Sequence, residues 1–157
     1  MELIERARHT LETTPNAALA TVSAAGMPWN TTIYVAYDEA LTFFWSSHTD
    51  AIHSRNIAAN PAVFLLVFDS RLDDHSGQAV YISGEAVELQ GEEAIRRASN
   101  CLAARRHESA KPAADFMGSC PSRLYALVPH LIWTNLVKEQ NGEVFDERVA
   151  IDLDQLT

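Results

Sequence analysis

Cysteine is scarce, with Cys101 and Cys120 the only two in 157 residues, and the chain opens without a basic segment followed by a short apolar one. A secreted disulfide framework is therefore not supported, and a reducing, cytoplasmic setting is the expectation. Basic residues are also few: 12 Lys and Arg stand against 21 Asp and Glu, a formal charge of −9. Between Arg8 and Arg71 the only one is Arg55. A phosphate-backbone binder needs clustered cations to displace counterions, so nucleic acid is not an expected partner. Long hydrophobic runs are missing as well. The uncharged stretch from Thr13 to Tyr37 is broken by Pro15, Asn16, Gly26, Pro28, Asn30 and three threonines, Thr21, Thr31 and Thr32, which suits a sheet and excludes a membrane helix there.

Several enzyme signatures are absent. Histidines 9, 48, 53, 75, 107 and 130 never form HExxH, the two cysteines do not form CxxC, and no metal is expected. Neither a GxSxG elbow, a Walker loop nor a GxGxxG occurs, and no carboxylate pair stands out. Hydrolase, P-loop and Rossmann readings thus have no support.

What is present suits one globular domain over residues 1–157, with 47% hydrophobic and 21% charged residues. Leu3, Ile4, Ala7 and Leu11 recur at helical spacing and predict an amphipathic helix stopped near Pro15. Segments 17–23, 28–37 and 41–46, separated by turn signals, predict three strands in an antiparallel meander. Asp50 is a plausible N-cap for a short helix over 50–60, ended by Asn60-Pro61. The apolar run 62–69 reads as a strand buried on both faces. Segment 78–89 alternates and holds Gly84, which predicts a bulge or a close backbone approach. A helix follows over 91–107, with Arg96, Arg97, Arg105 and Arg106 on its solvent side. Segment 122–137 is strand-like with a break at Pro129, and Asn141-Gly142 predicts a hairpin before 143–153. Six or so strands with two longer helices make a mainly β, barrel-like antiparallel sheet with helices packed on it.

The segment 43–61 combines the hydroxyls of Ser46, Ser47 and Thr49 with His48, His53 and Arg55. Hydroxyls, free N–H groups at a helix start and a cation are what a phosphate needs. The same segment also reads as a polar loop followed by a solvated helix face.

The order Gly26-Met27-Pro28 between two strands, a strand ending in Trp45-Ser46, and Asn-Ile-x-x-Asn-Pro over 56–61 before an apolar strand resembles the pyridoxamine 5'-phosphate oxidase-like, FMN-binding split-barrel family. The likeness covers roughly residues 17 to 89, with weaker echoes at Arg123-Leu124-Tyr125 and Trp133. It implies a six-stranded antiparallel split β-barrel, a homodimer, and FMN in a groove at the subunit interface. The resemblance lays the isoalloxazine along Asn30, Thr31 and Thr32 and the ribityl-phosphate end by Trp45 and Ser46. The family's Ser-Arg-Lys triplet is replaced here by Ala51-Ile52-His53, followed by Ser54 and Arg55, with Ser47 or His48 nearby to compensate. Gln78 lies six residues before Gly84 where the family glutamine sits five before its glycine, so it either faces the flavin or turns away. Trp133 belongs either to the core, to the dimer interface or to a stack on the ring.

That resemblance implies an FMN-binding oxidoreductase, passing hydride between flavin and an unidentified small molecule. A second phosphate site for a phosphorylated substrate would fall to Arg123 or Arg148. The alternative is a non-catalytic barrel holding flavin, a deazaflavin or haem, with His48, His53 or His130 as axial ligand in the last case. FMN is preferred over a deazaflavin, whose longer anionic tail would favour a more basic groove.

Overall fold

A computed structural model of the chain describes residues 2–72 and 78–156, and His75 lies outside them. Helices α1 (Leu3–Thr13), α2 (Ile52–Ala59) and α3 (Glu92–Arg106) accompany strands β1 (Asn16–Val22), β2 (Pro28–Tyr34), β3 (Ala36–Tyr37), β4 (Phe43–His48), β5 (Ala62–Phe68), β6 (Ala79–Glu88), β7 (Ser122–Gln140) and β8 (Glu143–Ile151). The sheet runs β2-β1-β5-β6-β7-β4-β3, with β8 paired to β7, and every pairing is antiparallel. This is the split barrel expected, with eight strand segments instead of six. None of the described helices is long and apolar enough to cross a membrane.

The three-strand meander does not form. β1 and β2 make the predicted hairpin through Gly26, whose φ of +80° a side chain would strain. The chain then leaves β2 at Val35, and β4 pairs with β3 and with β7 at the other end of the sheet order. β2 is left as an edge strand, and Pro28 opens it where a missing N–H costs no ladder bond.

Two cores lie on opposite sides of the β4–β7 pair. Inside the barrel, Phe43, Trp45, Tyr125 and Leu127 join Leu19, Leu65, Ile82 and Ile132, closed at one end by Ala7 and Leu11 of α1. On the other side, Phe44, Leu124 and Ala126 pack under Ile95, Ala98 and Leu102 of α3. β4 is therefore the strand covered on both faces. β5, read from its apolar run as doubly buried, alternates: Val63, Leu65 and Val67 are buried while Phe64 and Leu66 are half-buried and Phe68 is 45% exposed. Nothing in the described chain covers that outer side.

β7 bends around the barrel without stopping at Pro129. The register shifts between Ser83 and Gly84 opposite that proline, which is the bulge anticipated at Gly84. A Cβ on Gly84 would meet the Val128 carbonyl oxygen at 2.2 Å, so the two backbones touch there. On its other side β7 pairs β4 as far as Leu127 and β8 from Ile132 onward. Beyond Thr134, where pairing to β6 ends, β7 and β8 continue alone as a two-stranded ribbon to the Asn141-Gly142 turn.

Candidate functional site

The outer face of the sheet follows from the register. Thr32, Ala18, Leu66, Tyr81 and Trp133 lie side by side across five strands, and Asn30, Ala20, Phe64, Ser83 and Leu131 form the neighbouring row. Side chains alternate along each strand, so both rows point away from the barrel core. At one end Asn30 and Thr32 are exposed on edge strand β2. At the other, Phe64 stacks on Trp133 with ring centroids 6.1 Å apart and meets Tyr81 at 6.4 Å, while Leu131 is 52% exposed. Between them Ala18 and Ala20 contribute only methyl groups. The result is a trough with an alanine floor, one polar wall backed by free edge-strand N–H and C=O groups, and one aromatic wall.

Thr31 departs from the expected trio. It pairs with Leu19, whose side chain fills the barrel, and so points to the opposite face from Asn30 and Thr32. Trp45 is 0% exposed, stacked on Tyr125 with centroids 5.8 Å apart, and its indole Nε1 has no partner. It cannot line a groove in this conformation; the aromatic at the strand end is a barrel core residue. Gln78 sits just before β6 beside Thr10 and Thr13 of α1 and Arg71, away from the trough. Trp133 shares a row with Thr32 but stands at the aromatic wall.

The remaining candidates separate across β4, because Ser46 and Ser47 are neighbours and point to opposite faces. Ser47 Oγ and His53 Nε2 are 2.6 Å apart at the barrel side. Burial pushes the His53 imidazole below its ordinary value, which favours the neutral ring over the cation that a lysine substitute would need. Ser54 is 4% exposed and lines a cleft with Tyr125 and Glu88. Arg55 is exposed on α2. The helix begins at Ile52 with Ala51 as its N-cap; the Asp50 N–H donates to His48 Nδ1 at 3.1 Å instead, so Asp50 is not the cap expected.

Ser46 faces the α3 side. Its Oγ lies 3.3 Å from Ser122 Oγ, and both line a cavity of about 70 Å³ together with Ser99, Arg106, Ser109 and Lys111. Arg106 also holds its guanidinium 4.6 Å over the ring of Tyr34, two residues along the same face of β2 from Thr32. Sequence reading missed Ser122, Arg106 and Lys111, which lie far along the chain from Ser46. The only signal was the arginine-rich end of α3, read there as a solvent face.

The Asn-Ile-x-x-Asn-Pro motif has an architectural role. Asn56 is buried and donates its amide to Thr21 Oγ1 at 3.0 Å, tying α2 to β1, while Ile57 enters the barrel core. Asn60 Oδ1 accepts from the Ala62 N–H at 3.1 Å, setting the turn into β5.

An antiparallel sheet in this order, closed on itself around one core with helices packed against it, defines the split-barrel class. Within that class, the sequence profile described as pyridoxamine 5'-phosphate oxidase matches residues 3–134, and the chain belongs to that family. A pyridoxine/pyridoxamine 5'-phosphate oxidase of Xylella fastidiosa (strain Temecula1 / ATCC 700964) is 33% identical over 120 residues, covering 76% of this chain and 55% of the relative. The chain thus spans about half the length of the curated relatives it matches. Among solved structures, a candidate pyridoxamine 5'-phosphate oxidase from Listeria innocua superposes with a TM-score of 0.63 at 20% identity, over 85% of this chain and 98% of that one. The haem storage protein HutZ of Vibrio cholerae superposes with a TM-score of 0.63 at 16% identity, over 85% and 95%. At such identities the superpositions establish the fold alone.

Proposed function

We propose that the protein is a homodimeric, FMN-binding oxidoreductase acting on a small organic molecule, with the flavin ring in the trough floored by Ala18 and Ala20. The observation that carries this reading is the trough itself: a strip along β1 where Ala18 and Ala20 offer only methyl groups, between the hydrogen-bonding side chains of β2 and the aromatic wall that begins at Phe64 on β5. A planar ring with a polar edge matches it, Asn30 and Thr32 supplying donors and acceptors to that edge. Family membership supports the same cofactor class. Thr31 and Trp45 are left out of the site on the geometry above. When bound, the isoalloxazine supplies the hydride chemistry. The chain's own residues orient the ring and, through Phe64, Tyr81 and Trp133, exclude water from one side. No acid or base is assigned.

The dimer rests on the outer face. Phe64, Trp133, Leu131 and Phe68 form an apolar block that nothing else in the described chain covers, and a second copy applied there would also wall the trough. Of the two arginines considered for a substrate phosphate, Arg123 is engaged by Glu88 and by the carbonyls of Gly118 and Ser122 and is not a free anion receptor, whereas Arg148 lies with its guanidinium face over Tyr81 and keeps its edge N–H donors.

The test is titration of FMN, riboflavin and haem into purified protein, followed by absorbance and flavin fluorescence, with Ala18→Leu as the variant that fills the trough. Binding of FMN to the native protein and its loss in Ala18→Leu with the fold retained are expected. Flavin affinity unchanged in Ala18→Leu would place the ring elsewhere, and a haem spectrum with no flavin binding would overturn the cofactor reading.

A further inference from the structure

The cavity on the α3 side of β4 has a composition unlike any other concavity described in the chain. Its walls are the hydroxyl residues Ser46 and Ser122 from the β4–β7 pair, Ser99 and Arg106 from α3, and Lys111 from the segment that follows. At about 70 Å³ it has room for roughly two water molecules at ~30 Å³ each, far too little for a ring system but the scale of one tetrahedral oxyanion. Ser46 and Ser122 hydrogen-bond to each other, which uses one of their two protons and leaves one O–H to donate. Arg106, held over Tyr34 by its guanidinium face, retains N–H donors for a ligand. Ser99 Oγ donates to the Lys111 carbonyl at 2.8 Å and so fixes the backbone that carries the second cation. Glu108 also borders the cavity; Arg106 and Lys111 outnumber it by two charges to one.

The segment leading into α2, which the sequence offers as a phosphate cradle, is a weak one here, because the ring of His53 is disfavoured as a cation and is hydrogen-bonded to Ser47. We propose that the Ser46–Ser122–Arg106–Lys111 cavity is a phosphate monoester site that takes over this role, its cations drawn from α3 and the following segment. This rests on the flavin reading only for the source of the phosphate. Position fits that source: Thr32 and Tyr34 share one face of β2, Arg106 lies over Tyr34, and Arg106 lines the cavity, so the trough and the cavity adjoin through one aromatic ring. A phosphorylated substrate presents the same chemistry, and the two sources separate experimentally.

Dissociation constants for FMN, riboflavin, pyridoxal phosphate, pyridoxal and inorganic phosphate are to be measured by calorimetry on the native protein and on Arg106→Gln/Lys111→Gln, with Ser46→Ala as a milder variant. Circular dichroism confirms the fold of each; both cations are surface residues. Losing a charge-assisted hydrogen bond weakens binding roughly ten- to a hundredfold. If the cofactor supplies the phosphate, FMN binds tighter than riboflavin and the double variant removes that preference while leaving riboflavin unchanged. If a substrate supplies it, the preference for pyridoxal phosphate over pyridoxal collapses instead. Inorganic phosphate binding, lost in the double variant, supports the site even where no flavin binds, which would sink the flavin reading alone. Phosphate and FMN affinities unchanged by both variants would overturn the site, whatever becomes of the flavin.

Discussion

Gly84→Ala isolates the contact on which the bend of the barrel depends. The added methyl carbon would lie 2.2 Å from the Val128 carbonyl oxygen, 3.0 Å from its carbon and 3.1 Å from Pro129 Cα. All three are backbone atoms of β7, held there by pairing on both flanks of the register shift, so no side chain can swing aside. Overpacking typically costs 1–3 kcal/mol. With only backbone to displace, the upper end applies, about 3 kcal/mol, which for a chain of this size lowers Tm by roughly 6–12 °C. Gly142→Ala is the control: its φ of +81° strains alanine, but nothing lies within 4 Å and the turn sits at the tip of the β7–β8 ribbon, so at most the conformational cost of about 1 kcal/mol reaches global unfolding. Urea unfolding of both variants, at one fixed protein concentration because dimerisation shifts apparent stability, reads the difference. A Gly84→Ala midpoint no lower than that of Gly142→Ala would refute the close approach of β6 and β7.

Asn56→Ala should lose about 1–3 kcal/mol in urea unfolding by stranding the Thr21 hydroxyl, and pairing Asn56→Leu with Thr21→Val should recover part of it; a purely additive double variant would count against the bond. Burial holds the His53 pKa below its unfolded value, so the unfolded chain binds the proton more readily. Stability contributed by His53 is therefore present above about pH 6.5 and lost as pH falls through the lower folded value, and His53→Gln should flatten that slope between pH 7.5 and 5. For the same reason FMN affinity should show no His53-dependent fall between pH 7 and 9; a fall abolished by His53→Gln would restore the imidazolium as a phosphate ligand. Trp133→Asp should shift light scattering from twice 17.4 kDa to 17.4 kDa, and an unchanged mass would remove the outer face from the interface.

The helices were legible because each buries one periodic stripe, as Ile95, Ala98 and Leu102 do on α3. Gly84 was legible because glycine inside an alternating strand has few uses. The exchange of roles between β4 and β5 was not, since a run of apolar residues looks the same whether the second face meets another core or stands open. Phe43, Phe44 and Trp45 divide between two cores, and that division exists only once β7 is in place beside them. The site suffered from the same alternation. Ser46, Ser47, His53 and Arg55 are close in sequence and read as one cradle, yet β4 turns the two serines apart. The partners that Ser46 acquires come from positions 106, 111 and 122, and no local pattern joins them to residue 46.

The ribbon beyond Thr134 has a thermodynamic consequence of its own. A hairpin with no third strand and no packed face is marginal in water. Its base is pinned by Arg6 donating to the Asn135 carbonyl and by Arg148 over Tyr81, but its amides over 138–146 are held by cross-strand bonds alone, while those of β5 and β6 open only when the barrel does. The chain is therefore built of two cooperative units with separate opening free energies. The tip around Asn141 can fray and reclose many times within the lifetime of one folded barrel. Any partner that settles on Val144 and Phe145, both exposed there, would slow exchange at the tip without touching the global stability of the rest.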